Sequence, residues 1–132
     1  MRIAIFQDYL ENIGGAEKLV VTLAKELEAT IITTNLSQEV VEALEAQNVR
    51  FIDLGKCPNK IFLKHSLAVW KFFSCDFSKE FDFFIFSGNR SIFASWRHRP
   101  NIWYCHSPER AIFDLHDFYR SEMGFFRGAF FW

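Results

Sequence analysis

Five short β-rich runs alternate with segments whose apolar residues recur at helical spacing, and this alternation limits the chain to very few folds. Residues 2–6 (RIAIF) form the first run, and a polar stretch at 7–14 reads as a loop. Leu19, Val20, Leu23, Ala24 and Leu27 then mark one face of a helix from Ala16 to Leu27. Residues 30–34 (TIITT) are a second strand, and Ser37 reads as the N-cap of a helix through Gln47. Residues 49–54 (VRFIDL) are a third strand, and a helical pattern follows over 61–73. The nearly continuous apolar run at 81–86 (FDFFIF) has the make-up of a strand buried on both faces. Residues 101–105 (NIWYC) are a fifth strand after Pro100, and Glu109 to Arg120 reads as a last helix.

Strands separated by helices require parallel pairing through right-handed crossovers. The expected fold is therefore α/β: a doubly wound, mostly parallel, Rossmann-like sheet. Ligands of such sheets bind beyond the carboxyl ends of the strands, where strand order reverses. In the usual order that reversal lies between strands one and four. Gly14-Gly15, Ser87-Gly88-Asn89 and His106-Ser107 follow strands one, four and five, and would line one rim.

Composition excludes several classes. The 132 residues have room for one domain, and 15 basic against 16 acidic side chains supply no field to gather nucleic acid. Cys57, Cys75 and Cys105 are odd in number and show no C-x-x-C spacing, against both a disulfide framework and a thiolate zinc site. No window reaches the roughly 18 apolar residues of a membrane span, and the first strand is too short for a signal sequence. The expected setting is a reducing cytoplasm. The 17 phenylalanines exceed what so small a core can bury, so part of that aromatic surface is expected to meet a partner surface. The run at 124–132 (GFFRGAFFW) reads as a chain cut off rather than finished.

Two segments carry a family resemblance: Gly14-Gly15-Ala16-Glu17-Lys18 after the first strand, and Tyr104-Cys105-His106-Ser107-Pro108-Glu109-Arg110 after the fifth. Together they resemble the amino-terminal, acceptor-side domain of retaining GT-B glycosyltransferases of family four, in particular mannosyltransferase-like members of polysaccharide and lipid-linked glycan assembly. The resemblance implies a truncated half of a GT-B fold, with the donor-binding half absent, as are the family's paired acidic donor motif and basic diphosphate-binding residues. It further implies transfer of a hexose from a nucleotide sugar to a glycan or lipid-linked acceptor, with no resident cofactor. The matching histidine, His106, would hydrogen-bond the transferred sugar. The missing half would lie in further sequence or in a separately encoded subunit of a split enzyme, and the chain alone would be inert. A plain Rossmann-like binding module is the remaining alternative.

Each candidate has a second reading. Gly14 and Gly15 open a helix whose backbone N–H groups suit a phosphate or sugar oxygen, or they simply make a tight turn. Asp8 and Glu17 are placed to bind acceptor hydroxyls, although a first-turn glutamate also complements the helix dipole. Asn89 belongs to the rim, Ser107 serves substrate or caps a helix, and Arg110 serves substrate or a solvated first turn. His65, His98 and His116 have no mutual ligand spacing and read as surface or core residues. There is no G-x-G-x-x-G, and Asn35 stands where a nicotinamide enzyme carries an acidic residue. The absence of a D-x-D triplet removes a metal-dependent GT-A enzyme and leaves no metal site to propose. Residues 60–73, with aromatics among Lys60, Lys64 and Lys71, suit either an ordinary packing face or a helix lying at a membrane interface.

Overall fold

A computed structural model describes residues 1–106. Its single sheet has the order β3-β2-β1-β4-β5, and every pairing is parallel. The strands are β1 (Ile3–Tyr9), β2 (Thr30–Thr34), β3 (Arg50–Asp53), β4 (Phe83–Phe86) and β5 (Asn101–Trp103). The helices are α1 (Gly15–Leu27), α2 (Gln38–Ala43) and α3 (Ile61–Ser74), with a 3-10 turn at Ser91–Ala94. The doubly wound, Rossmann-like α/β sheet expected from the alternation is thus the observed fold. The chain first winds outward from β1 through β2 to β3, then returns to the other side of β1 for β4 and β5. The reversal lies between β1 and β4.

The central strand shows why the sheet closes on both faces. Successive side chains of a strand point to opposite faces, and in β1 both sets are apolar. Ile3 and Ile5 join Val20, Val21 and Ala24 of α1 and Val40 and Val41 of α2 in one core. Ala4 and Phe6 join Ala68 and Phe72 of α3 in the other. Phe6 is completely buried and stacks on Phe86 at 4.9 Å, with the edge of Phe72 at 6.2 Å. Burying one such side chain contributes about 1.5–3 kcal/mol. The phenylalanine excess is therefore divided: Phe6, Phe72, Phe84 and Phe86 fill the core, whereas Phe62, Phe73, Phe93, Trp70, Trp96 and Trp103 stay exposed.

Several boundaries differ from expectation. Strand β1 runs on to Tyr9, so Gln7 and Asp8 belong to the strand and not to the polar loop. A register irregularity between Phe6 and Tyr9 inserts one extra residue in β1 relative to β2, and both Gln7 and Asp8 are buried there. Helix α2 stops at Ala43, short of Gln47. Glu45 takes a left-handed conformation (φ 49°), and the Ala46 N–H reaches back to the Val41 carbonyl at 2.8 Å. Helix α1 closes the same way, with Glu28 at φ 50° and the Ala29 N–H on the Ala24 carbonyl at 2.9 Å. Glycine or asparagine is the usual residue at such a stop, so Glu45 gave no sign of the end of α2, whereas the end expected for α1, Leu27, is the observed one. Ser37 occupies the N-cap position of α2, but its side chain makes no capping bond. Strands three, four and five are each shorter than their apolar runs, and 3-10 geometry precedes Pro100. The expected helix from Glu109 to Arg120, together with Ser107, Arg110, His116 and the aromatic end of the chain, lies outside the described residues.

Candidate functional site

The carboxyl ends of β1, β4 and β5 meet at the reversal, and the residues there are held in unequal ways. Asp8 is 7% exposed, near the end of β1. Its carboxylate accepts the backbone N–H of Arg90 at 3.0 Å to each oxygen and that of Ser91 at 2.7 Å. The Arg90 guanidinium lies 3.9 Å from the same carboxylate. Asp8 thus ties the loop after β4 down onto β1, and both oxygens are engaged. A carboxylate aimed at consecutive backbone N–H groups does what an N-cap does for a helix.

Gly88 is required by this arrangement. A Cβ at that position would lie 1.9 Å from an Asp8 carboxylate oxygen and 2.9 Å from the Asp8 backbone nitrogen. Ser91, wholly buried, completes the clamp: its hydroxyl accepts the Gly88 N–H at 3.1 Å. Asn89, between Gly88 and Arg90, is exposed on the rim.

Past β5 the chain brings His106 over β4. The hydroxyl of Ser87 bonds to Nε2 of His106, and the Tyr104 ring meets the imidazole edge to face at 5.1 Å. His106 is itself exposed, so a ligand can reach its ring. At the start of α1, Gly14 is the N-cap in extended geometry with no side-chain cap, and its carbonyl accepts the Lys18 N–H at 3.2 Å. A Cβ on Gly14 would press on the Glu17 carboxylate at 2.6 Å, whereas one on Gly15 would meet nothing within 4 Å. The Glu17 carboxylate therefore folds back over the helix start, the place where a bound anion would have to sit. That geometry suits a neutral hydroxyl ligand better than a phosphate.

The structure thus brings Asp8, Asn89 and His106 to the ends of three strands around the reversal, with Gly14, Gly15 and Glu17 on the loop and helix leaving β1. Residues that sequence reasoning missed lie beside them. Arg90 had no motif to mark it, and Ser87, expected on the rim with Gly88 and Asn89, had no signal to pair it with His106. A further network joins β1, β2 and α3. Asn35, at φ 50°, accepts the Cys57 N–H at 2.5 Å and donates to Glu11 at 2.9 Å, and Glu11 pairs with Lys64. Lys64 also lies over the Tyr9 ring at 4.5 Å, and the Tyr9 hydroxyl meets Nδ1 of His65 at 3.0 Å. Burial pushes the Tyr9 phenol up to about 12. Burial also pushes the Glu11 carboxyl upward, but the bonds from Lys64 and Asn35 outweigh it and hold it below its ordinary value. A polar groove opens next to this network, lined by Glu11, Asn35, Ser37, Gln38, Lys56 and Asn59. The partners are dozens of residues apart in sequence, so only the fold joins them.

His98 is different. It is wholly buried, with its ring 4.9 Å from those of Phe6 and Phe84. Its Nδ1–H donates to the Ala94 carbonyl at 2.7 Å, and its Nε2 accepts the Phe77 N–H at 2.9 Å. Both nitrogens serve the scaffold. Among the described residues no group of three His, Cys, Asp or Glu could hold a metal ion.

A parallel sheet wound in both directions, with glycine-bearing loops and a histidine on its carboxyl rim, defines a Rossmann-like α/β domain whose strand order reverses between β1 and β4. A solved structure with this fold is that of Alr3699/HepE from Anabaena in complex with UDP, with a TM-score of 0.59 and 18% sequence identity. The match covers 93% of this chain and 33% of that one, so the chain spans about a third of the length of that protein. No protein-family model and no curated protein matches the sequence.

Proposed function

We propose that the chain is the acceptor-side part of a GT-B glycosyltransferase of the retaining, family-four type that moves a hexose, in the mannosyltransferase-like reading mannose, from a nucleotide sugar to a glycan or lipid-linked acceptor. The observation that carries the reading is His106, exposed at the strand reversal and held from below by Ser87. A purely scaffolding histidine would resemble His98, buried with both nitrogens occupied. The likeness of fold to a protein solved with UDP supports the nucleotide-sugar class.

In this reading the chain positions the acceptor and one face of the transferred sugar, and the donor diphosphate is held by a part homologous to the remainder of a GT-B enzyme. Positioning and preorganised hydrogen bonds are the means by which such a half contributes to rate. The Asp8 clamp keeps the loop of Gly88 and Asn89 rigid, while Gly15 leaves room for a ligand close to the start of α1. That donor part lies either in further sequence or in a separately encoded subunit.

Contact with a membrane surface would come from α3. Ile61, Phe62, Leu63 and Trp70 are at least half exposed along it. Lys64 bonds to Glu11 and Lys71 to the Lys56 carbonyl, so both lysines of α3 turn back to the protein. Any attachment at the cytoplasmic face would therefore rest on apolar insertion more than on charge.

The test is transfer of labelled hexose from UDP- and GDP-sugars to lipid-linked acceptors, with this chain alone and with its complementing donor part. Transfer is expected only in the complemented sample, falling at least 100-fold with His106→Ala. Unchanged transfer in that variant would remove the histidine from the reaction, and transfer by the chain alone would overturn the division of labour.

A further inference from the structure

The bond between Ser87 and His106 determines which edge of the imidazole can meet a ligand. Ser87 is 7% exposed, and its backbone N–H is already used on the Phe6 carbonyl at 2.9 Å. Its hydroxyl lies against Nε2 of His106, and among the described residues it meets no carbonyl or carboxylate able to take its proton. A buried hydroxyl left without an acceptor is costly. The lone pair on Nε2 is the acceptor within reach, and a nitrogen that accepts there cannot carry the ring proton. The proton must then sit on Nδ1.

We propose that Ser87 is a positioning residue that fixes His106 as the Nδ1–H tautomer, so that the ring presents a hydrogen-bond donor to the crevice. The Tyr104 ring, edge to face with the imidazole, restrains the rotation that would exchange the two edges. A neutral N–H donor suits a sugar hydroxyl or ring oxygen, and it suits oxygen on which negative charge develops. It does not suit a base, because the basic nitrogen is covered by Ser87. His98 carries the same tautomer but has both nitrogens occupied, and so presents nothing. This assignment rests on the reading of His106 as a sugar contact for its ligand class, whereas the tautomer rests on the Ser87 bond and the burial of Ser87, independently of that reading.

The experiment is a long-range proton–nitrogen correlation spectrum of the 132-residue chain labelled with ¹⁵N-histidine, recorded at a pH where imidazoles are neutral. The expected spectrum has His106 protonated at Nδ1 and bare at Nε2. Ser87→Ala should release the ring to a mixture of tautomers, and Ser87→Thr should restore the single form. His98, held by two backbone groups, should keep its pattern throughout and report that the fold is intact. A proton on Nε2 in the unaltered chain overturns the proposal before any variant is made. So does an Nδ1–H pattern that Ser87→Ala leaves unchanged. Adding hexoses and nucleotide sugars to the same sample separates the two claims: His106 in the expected tautomer but unmoved by either class would sink the transferase reading and leave the role of Ser87 standing.

Discussion

At the scale of single residues, the same side-chain types do opposite work according to what surrounds them. His98 is held neutral by burial, which lowers its affinity for a proton, and the Ala94 carbonyl and Asp76 only partly offset this. Protonating Nε2 would set an N–H against the Phe77 N–H that it now accepts. The folded state thus has a lower pKa than the ordinary 6.5. As pH falls below that value the unfolded chain gains a proton that the native state refuses, so native stability declines toward acid and is level above it. Urea midpoints between pH 8 and pH 5 should show this decline, and His98→Gln should flatten it although it is less stable overall. An equal slope in both proteins would place the dependence elsewhere. Gly88 makes a second residue-scale case. Gly88→Ala would drive a methyl group into Asp8 and should cost about 1–3 kcal/mol, as overpacking does. Gly15→Ala, in open space, should leave the urea midpoint nearly unchanged.

At the scale of elements, periodicity located every strand and helix of the described residues and misjudged where several stop. Helical spacing in α1 and the apolar run of β4 report burial, which is a property of whole segments. Ends depend on single residues, and left-handed Glu45, beyond the early stop of α2, carries no signal that distinguishes it from a glutamate within a helix. Gln7 and Asp8 suggested a loop because they are polar, yet both are buried residues of β1, and Asp8 holds the loop after β4. Helix α3 shows the limit from the other side. It is apolar almost all round, and only Ala68 and Phe72 are fully buried. Phe72→Ala should cost about 3–5 kcal/mol in urea unfolding. Ile61→Ala, 74% exposed, should change stability by less than about 0.5 kcal/mol. If α3 meets lipid, that same exposed substitution should weaken co-sedimentation with vesicles. A loss of stability at Ile61 equal to that at Phe72 would show instead that this face is covered by protein.

At the scale of the whole molecule, the order of elements led to the topology, because parallel crossovers leave few arrangements open. The rim followed from it: segments after strands one, four and five were brought together as the reversal requires. What could not be read was the division of labour within the rim. Asp8 looked like a ligand contact, and the fold uses its carboxylate to hold Arg90 and Ser91, a pairing across more than eighty residues. Ser87 was expected on the rim with Gly88 and Asn89, but nothing in the sequence paired it with His106. The network of Tyr9, Glu11, Asn35, Lys64 and His65 joins three elements and has no local pattern at all. Two other hollows lie at the opposite, amino end of the sheet, one lined by Arg2, Glu28, Arg50 and Lys79, the other by Lys25, Glu45 and Asn48. They supply a control surface. The central claim, that ligands of the sugar class meet this chain at the strand reversal, is tested most directly by mapping amide shifts of the ¹⁵N-labelled chain during titration with nucleotide sugars and oligosaccharides. The account predicts perturbations confined to Gly14–Glu17, Ser87–Arg90 and His106; shifts centred on Arg2, Arg50 and Lys79, or none at any concentration, would contradict it.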